Sequence, residues 1–172
     1  ETTIALLKNP DHDIRSTLPA PDFVGGGYIL YNEEDIGRIY ETGRGGVRVR
    51  AGYEYQKDGN MIEVTQIPPT TTIEAIMDKI AGRVKEISDM RDETDLNGLK
   101  LTIDLKRGQD ADKVMQKLFR MTPLEDSFPC NFNILISGMP RVMGVREILG
   151  EWAAFRTECV RRRTYYDLQG KE

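Results

Sequence analysis

Histidine is almost missing: His12 is the only one in 172 residues, and the two cysteines, Cys130 and Cys159, stand far apart. A Cys/His metal centre needs ligands in short spaced sets, and a disulfide framework needs several half-cystines, so neither can be built. Two reduced thiols, as in a cytosolic chain, are the expectation. A Ser-His-Asp or Cys-His system would need His12, expected at the surface, as its base, and no nucleophile stands in a strand-turn-helix setting. Long apolar runs are absent too; none approaches the roughly 20 residues of a membrane span, and no signal peptide is visible. There is no internal repeat and no low-complexity tract. An excess of positive charge is also lacking: 24 Lys and Arg face 28 Asp and Glu, for a net charge of −4. That balance argues against a uniformly basic nucleic-acid binder but leaves room for a local basic patch.

What is present suits a globular domain, either one domain or one with a small appendage: hydrophobic residues make up 39%, charged residues 30%, and there are 16 glycines. The spacing predicts helices over Thr2 to Leu7 and over Glu33 to Tyr40, with Ile36, Ile39 and Tyr40 inward and Gly43 as the stop, and a short helix or turn over Asp11 to Leu18, closed by Pro19. A strand is expected at Gly27 to Tyr31. Gly46 to Gln56 and Asn60 to Ile67 read as a hairpin around Lys57-Asp58-Gly59-Asn60, where Asp-Gly is a strong turn signal. Thr70-Thr71-Thr72 caps a helix through Ile73, Ile76, Met77 and Ile80. Ile87 to Asp92 and Leu99 to Leu105 are strands joined around Asn97-Gly98, and Asp110 opens a helix that buries Val114, Met115, Leu118 and Phe119. A strand at Phe132 to Ile136 precedes a long helix from Val145 to about Leu168. Its Val145, Ile148, Leu149, Trp152, Phe155 and Cys159 form one apolar stripe. The fold class is α+β: a mostly antiparallel sheet with a hairpin, covered by the helices near Thr72 and Asp110 and ending in the long C-terminal helix.

The chemistry concentrates between Tyr40 and Arg50. From Val47 the residues alternate, so Val47, Val49 and Ala51 point one way while Arg48 and Arg50 point the other, with Arg44 in a glycine turn before them. Such a face suits a long polyanion; it equally suits a solvated hairpin. Gly43-Arg44-Gly45-Gly46 does not read as a nucleotide loop, because the order is helix then strand and no Lys-Ser or Lys-Thr follows. Glu93-x-Asp95-x-Asn97-Gly98 approaches a calcium loop, yet its flanks alternate as strands, and an Asx-type turn accounts for it more simply. Nothing places two of Asp89, Asp92, Glu93 and Asp95 across a cleft, and Arg91 is expected to pair with its neighbours.

Leu18-Pro19-Ala20-Pro21-Asp22-Phe23 running into Gly25-Gly26-Gly27, then Tyr40-Glu41-Thr42-Gly43-Arg44-Gly45-Gly46-Val47-Arg48-Val49-Arg50, resembles the breakage-reunion (A) subunit of bacterial type IIA DNA topoisomerases, gyrase and topoisomerase IV. Val64-Thr65-Gln66-Ile67-Pro68, Ile87 to Glu93 and Arg161-Arg162-Arg163 follow in the family's order, so the resemblance runs from Glu1 to about Leu168. It implies that residues 1–172 are a tower (shoulder) domain cut from a longer protein, with residues 145–172 at the root of the exit-gate coiled coil, where the three arginines would anchor the helix. Gln66 to Thr72 departs from the gyrase pattern, which has a tyrosine after the proline and a lysine where Ile73 stands, and this tilts the reading toward topoisomerase IV. Between Ile80 and Ile87 the chain is shorter than the family by roughly one helical turn.

The resemblance further implies part of an ATP-dependent enzyme passing one DNA duplex through another. The nucleophilic tyrosine of that family stands in an Arg-Tyr pair, and none of Tyr28, Tyr31, Tyr40, Tyr53, Tyr55, Tyr165 and Tyr166 does. No catalytic residue is therefore assigned, and the chain alone should neither cleave nor relax DNA. ATP and magnesium would belong to the partner B subunit, with no cofactor or metal here. Expected partners are double-stranded DNA, the B subunit in an A2B2 tetramer, and a second copy of the breakage-reunion subunit through the coiled coil; no membrane, and a cytoplasmic, nucleoid-associated setting. Arg44, Arg48, Arg50 and Lys57 are the candidate DNA contacts, to phosphates and not to bases. The rival is a structural element that couples the DNA gate to the exit gate and hardly touches DNA.

Overall fold

The computed structural model describes residues 1–171, so Glu172, the last residue of the expected long helix, lies outside the described residues. In chain order the elements are α1 (Thr2–Lys8), α2 (Ile14–Thr17), β1 (Tyr28–Leu30), α3 (Glu33–Thr42), β2 (Arg44–Arg50), β3 (Gly52–Gln56), β4 (Met61–Gln66), α4 (Ile73–Ile80), β5 (Ile87–Asp92), β6 (Leu101–Leu105), α5 (Ala111–Met121), β7 (Glu125–Asn131), β8 (Asn133–Ile136), β9 (Met139–Val142) and α6 (Val145–Gln169). The class is α+β; every strand pairing given by register is antiparallel, and a long helix ends the chain. Two compact units result: one from Glu1–Pro21, Glu33–Gly45 and the chain from Pro129 on, the other from Asp22–Asn32 and Gly46–Phe128. Among the described residues no helix is long and apolar enough to cross a membrane.

The second unit is built on a four-stranded sheet in the order β3-β4-β6-β5. Val64 sits opposite Leu101 and Ile62 opposite Ile103, so period-2 alternation puts these four on one face, where all are fully buried. Ile73, Ile76 and Ile80 of α4 and Val114, Met115 and Leu118 of α5 close over that face at helical spacing. Thr72 caps α4, its hydroxyl accepting from the Ala75 amide at 3.3 Å. Asp110 caps α5 more fully, its carboxylate accepting from the amides of Asp112 at 3.0 Å and Lys113 at 3.4 Å. Asp110→Ala should cost about 1 kcal/mol in urea unfolding, the usual worth of such a cap. On the sheet, Lys100 pairs with Glu63 at 3.1 Å, and Arg91 with Asp104, Asp89 and Glu93.

One expected strand is broken. Gly46 to Gln56 is not continuous: Ala51 leaves the ladder and donates its amide to the Leu124 carbonyl at 2.7 Å. The arginine half, β2, lies between β1 and β7 in a separate three-stranded sheet, and only β3 pairs with β4 in the hairpin. Gly52 permits the bend, with a register shift beside it and the Gln66 side chain packed where a Cβ would stand. β7 and β9 have no counterpart in the sequence reading; each contains a proline, Pro129 or Pro140, which cannot donate to a ladder and demotes a strand signal. α4 stops at Ile80, and the six residues before Ile87 form a turn in which Gly82 takes φ 69° and Val84 drops into the core.

In the first unit, Ile36, Ile39 and Tyr40 of α3 are buried as the periodicity requires. His12, expected at the surface, is half-buried; its Nε2 shares a hydrogen bond of 2.9 Å with the Thr17 hydroxyl, which lies 2.8 Å from that of Thr2. The long helix α6 forms as expected, and its apolar stripe stays largely open. No residue of that helix is fully buried, and Trp152 and Phe155 are 51% and 64% exposed. Periodicity identifies a face; it does not supply what covers it.

Candidate nucleic-acid interface

β2 delivers the alternation its sequence promises: Val47 and Val49 are buried, Arg48 and Arg50 face outward. Across the sheet, Arg48 pairs with Leu30 and Arg50 with Tyr28, so these exposed apolar groups flank the cations. The two arginines are not independent rungs of the strand. They converge on Glu125, the first residue of β7. Its Oε1 accepts from Arg48 Nε at 2.9 Å and Nη2 at 2.7 Å, and its Oε2 accepts from Arg50 Nε. The Arg50 guanidinium also lies 4.9 Å from the Phe119 ring centre, a cation–π contact. Burial alone would raise the Glu125 carboxyl; the hydrogen bonds from Arg50 and Arg48 outweigh it and hold the group below the usual carboxylate range.

This pair forms one wall of an open cleft of about 560 Å³, whose other cations are Lys79 and Arg120. Both come from the last turns of their helices, α4 and α5, where a cation also complements the helix dipole. Both are exposed, and among the described residues neither forms an ion pair. The acids in the lining are Glu125, engaged by the arginines, and Asp126, which accepts from the Thr70 hydroxyl at 2.6 Å. Four cations against two acids that already have partners make a wide, positively biased groove, matched to the oxygens of a polyanion and too open to enclose a small ligand.

Of the four expected residues, the structure thus brings Arg48 and Arg50 together, in a cleft that Lys79 and Arg120 also line. Lys57 lies apart, exposed at the tip of the β3–β4 hairpin, a turn closed by Asn60 at φ 49°. Arg44 opens β2 and is exposed, but belongs to the first unit. The glycines beside it serve packing. A Cβ on Gly43, at φ 74°, would lie 2.2 Å from the Met143 carbonyl oxygen, and one on Gly45 would lie 2.6 Å from Ile39. The bare Gly43 lets the end of α3 and the chain before α6 approach, and the bare Gly45 leaves room for Ile39; no anion is needed to explain either. Lys79 and Arg120 escape a sequence reading because a cation in a last helical turn has a sufficient local explanation, and Glu125 because it stands 77 residues from Arg48.

The acidic stretch offers no general acid. Hydrogen bonds from Thr94 lower the Asp92 carboxyl, those from Thr102 and then Arg91 lower Glu93, and those from Asn97 lower Asp95. All three stay ionised at neutral pH. Asp95 accepts from the Asn97 amide at 2.8 Å and Asp92 from the Thr94 amide at 3.0 Å, the local turns that the loop sequence suggested.

Comparison with known proteins defines the class. The family model for the A subunit of DNA gyrase/topoisomerase IV matches residues 1–172. The chain is 33% identical over its whole length to the DNA gyrase A subunit of Chlamydia pneumoniae, of which the match covers 22%. It is 38% identical over 95% of its length to the chloroplastic/mitochondrial DNA gyrase A subunit of Arabidopsis thaliana, covering 18% of that protein, and 34% identical over 98% of its length to the DNA gyrase A subunit of Granulibacter bethesdensis, covering 19% of it. This chain belongs to the DNA gyrase/topoisomerase IV A-subunit family. It spans about a fifth of the length of the curated relatives it matches. The leaning toward topoisomerase IV finds no support in these relatives, whose names are all gyrase.

Proposed function

We propose that residues 1–172 are the tower domain of the breakage-reunion subunit of a type IIA topoisomerase, and that its second unit carries a bent DNA duplex by sequence-blind contacts to phosphates. The observation that supports this is the cleft in which Arg48, Arg50, Lys79 and Arg120 meet. Phosphates ask only for cations at reachable positions, and such contacts fix a duplex in place without reading it. In the intact enzyme the domain links the DNA gate to the exit gate, with α6 at the root of a coiled coil that pairs two breakage-reunion subunits. A tyrosine elsewhere in the same subunit cuts the DNA, and the B subunit supplies ATP hydrolysis and magnesium for duplex passage in the cytoplasm. The gyrase names of the relatives favour that branch for the parent.

A second reading has one observation in its favour. With a net charge of −4, and with Glu125 offsetting one of the two β2 arginines, the domain could couple the gates and leave DNA to its neighbours. Lys79→Ala/Arg120→Ala in the full-length protein separates the two readings. Neither side chain has an ion-pair partner among the described residues that would be orphaned, so stability should hold. DNA affinity should fall about equally on unrelated sequences, with the slope of log affinity against log salt reduced by roughly two. Unchanged affinity would favour the coupling role.

A further inference from the structure

Two arginines two residues apart on an open strand normally act as independent cations. Here one carboxylate holds both. The Glu125 side chain is 10% exposed, against 55% for Arg48 and 35% for Arg50, so the acid lies beneath the cations. A guanidinium is a planar fork with five N–H donors. Arg48 gives Glu125 its Nε and one Nη2 hydrogen, and Arg50 gives its Nε; the terminal Nη1–Nη2 edge of each is left over. That terminal edge presents two parallel N–H donors and remains free to grip a phosphate through two hydrogen bonds. The Phe119 ring, 4.9 Å from the Arg50 guanidinium, further limits that side chain.

Resting on the reading of this cleft as a DNA seat, we propose that Glu125 is a positioning residue: it lowers the charge of the cleft by one unit but fixes Arg48 and Arg50 as a single preorganised double fork for phosphodiester oxygens. Preorganisation raises affinity by removing the ordering cost of two long, rotamer-rich side chains at the moment of binding. The consequence has a definite sign. Coulomb's law alone says that removing a buried negative charge beside a DNA contact must tighten binding. Loss of the fork must weaken it.

The test measures binding of the full-length protein to a mixed-sequence duplex across a salt series, for wild type, Glu125→Gln, Arg48→Lys/Arg50→Lys and Arg48→Ala/Arg50→Ala. Glu125→Gln should bind roughly fivefold to tenfold more weakly despite its extra positive charge, and the loss should persist at high salt, where charge alone is screened. The lysine pair, which keeps the charge and the Glu125 partnership without the fork, should lose affinity to a similar degree. Binding by Glu125→Gln at or above the wild-type level overturns the proposal. Should that variant fail to fold, the lysine pair decides alone, and wild-type affinity there overturns it equally. Failure of the underlying reading shows separately, as an Arg48→Ala/Arg50→Ala variant that binds DNA like wild type.

Discussion

Gly43→Ala should cost about 3–5 kcal/mol, the largest single-residue effect expected here, read as a fall in the urea midpoint or as loss of folded protein. Two penalties add. Gly43 sits at φ 74°, where a side chain is strained by roughly 1–2 kcal/mol. Its new Cβ would also stand 2.2 Å from the carbonyl oxygen and 2.8 Å from the carbonyl carbon of Met143. Those are backbone atoms, so no rotamer change relieves the clash; the end of α3 and the chain before α6 must move apart. Gly144 faces the same constraint from the other side, its Cβ falling 2.3 Å from the Glu41 carbonyl and 2.4 Å from that of Tyr40. Gly82→Ala is the control. It has a similar φ of 69° but open space around it, and should show the strain alone, about 1–2 kcal/mol. Equal costs at Gly43 and Gly82 would remove the close-approach explanation.

Arg48→Ala/Arg50→Ala should have the second large effect, and it should be double. DNA affinity falls because two cations and both terminal forks leave the cleft. Stability falls as well, by about 1–3 kcal/mol, because the largely buried Glu125 carboxylate is left without either of its cations. Adding Glu125→Gln to that variant tells the two losses apart. Thermal stability should return toward wild type while DNA affinity does not. If affinity returned together with stability, the arginines would matter only for folding.

The same residues show how far the sequence could be read. Alternation from Val47 to Arg50 places the valines inside and the arginines outside correctly, since a period of two needs no knowledge of partners. The cores of α4 and α5 are legible on the same ground, each a stripe bounded by a capping Thr72 or Asp110. What escapes is everything set by distant chain. The bend at Ala51 depends on a hydrogen bond to Leu124. The convergence of Arg48 and Arg50 depends on Glu125, at the head of a strand whose proline hides it. The glycines of the Gly43 turn suggest an opening toward an anion, and the reason for Gly43 lies a hundred residues later at Met143. The family resemblance identifies the subunit class but not the residues that line the cleft, because Lys79 and Arg120 gain meaning only when two helix ends meet one strand.

The most direct test of the DNA-seat account is the salt dependence of duplex binding by the full-length protein, compared between wild type and a variant with Arg48, Arg50, Lys79 and Arg120 all changed to alanine and Glu125 to glutamine. Removing one phosphate-binding cation should take roughly one unit from the slope of log affinity against log salt. A fall of roughly three to four units in a folded variant, the same on unrelated sequences, is the expected result. A slope equal to that of wild type would contradict the account and leave the domain as a structural link between gates.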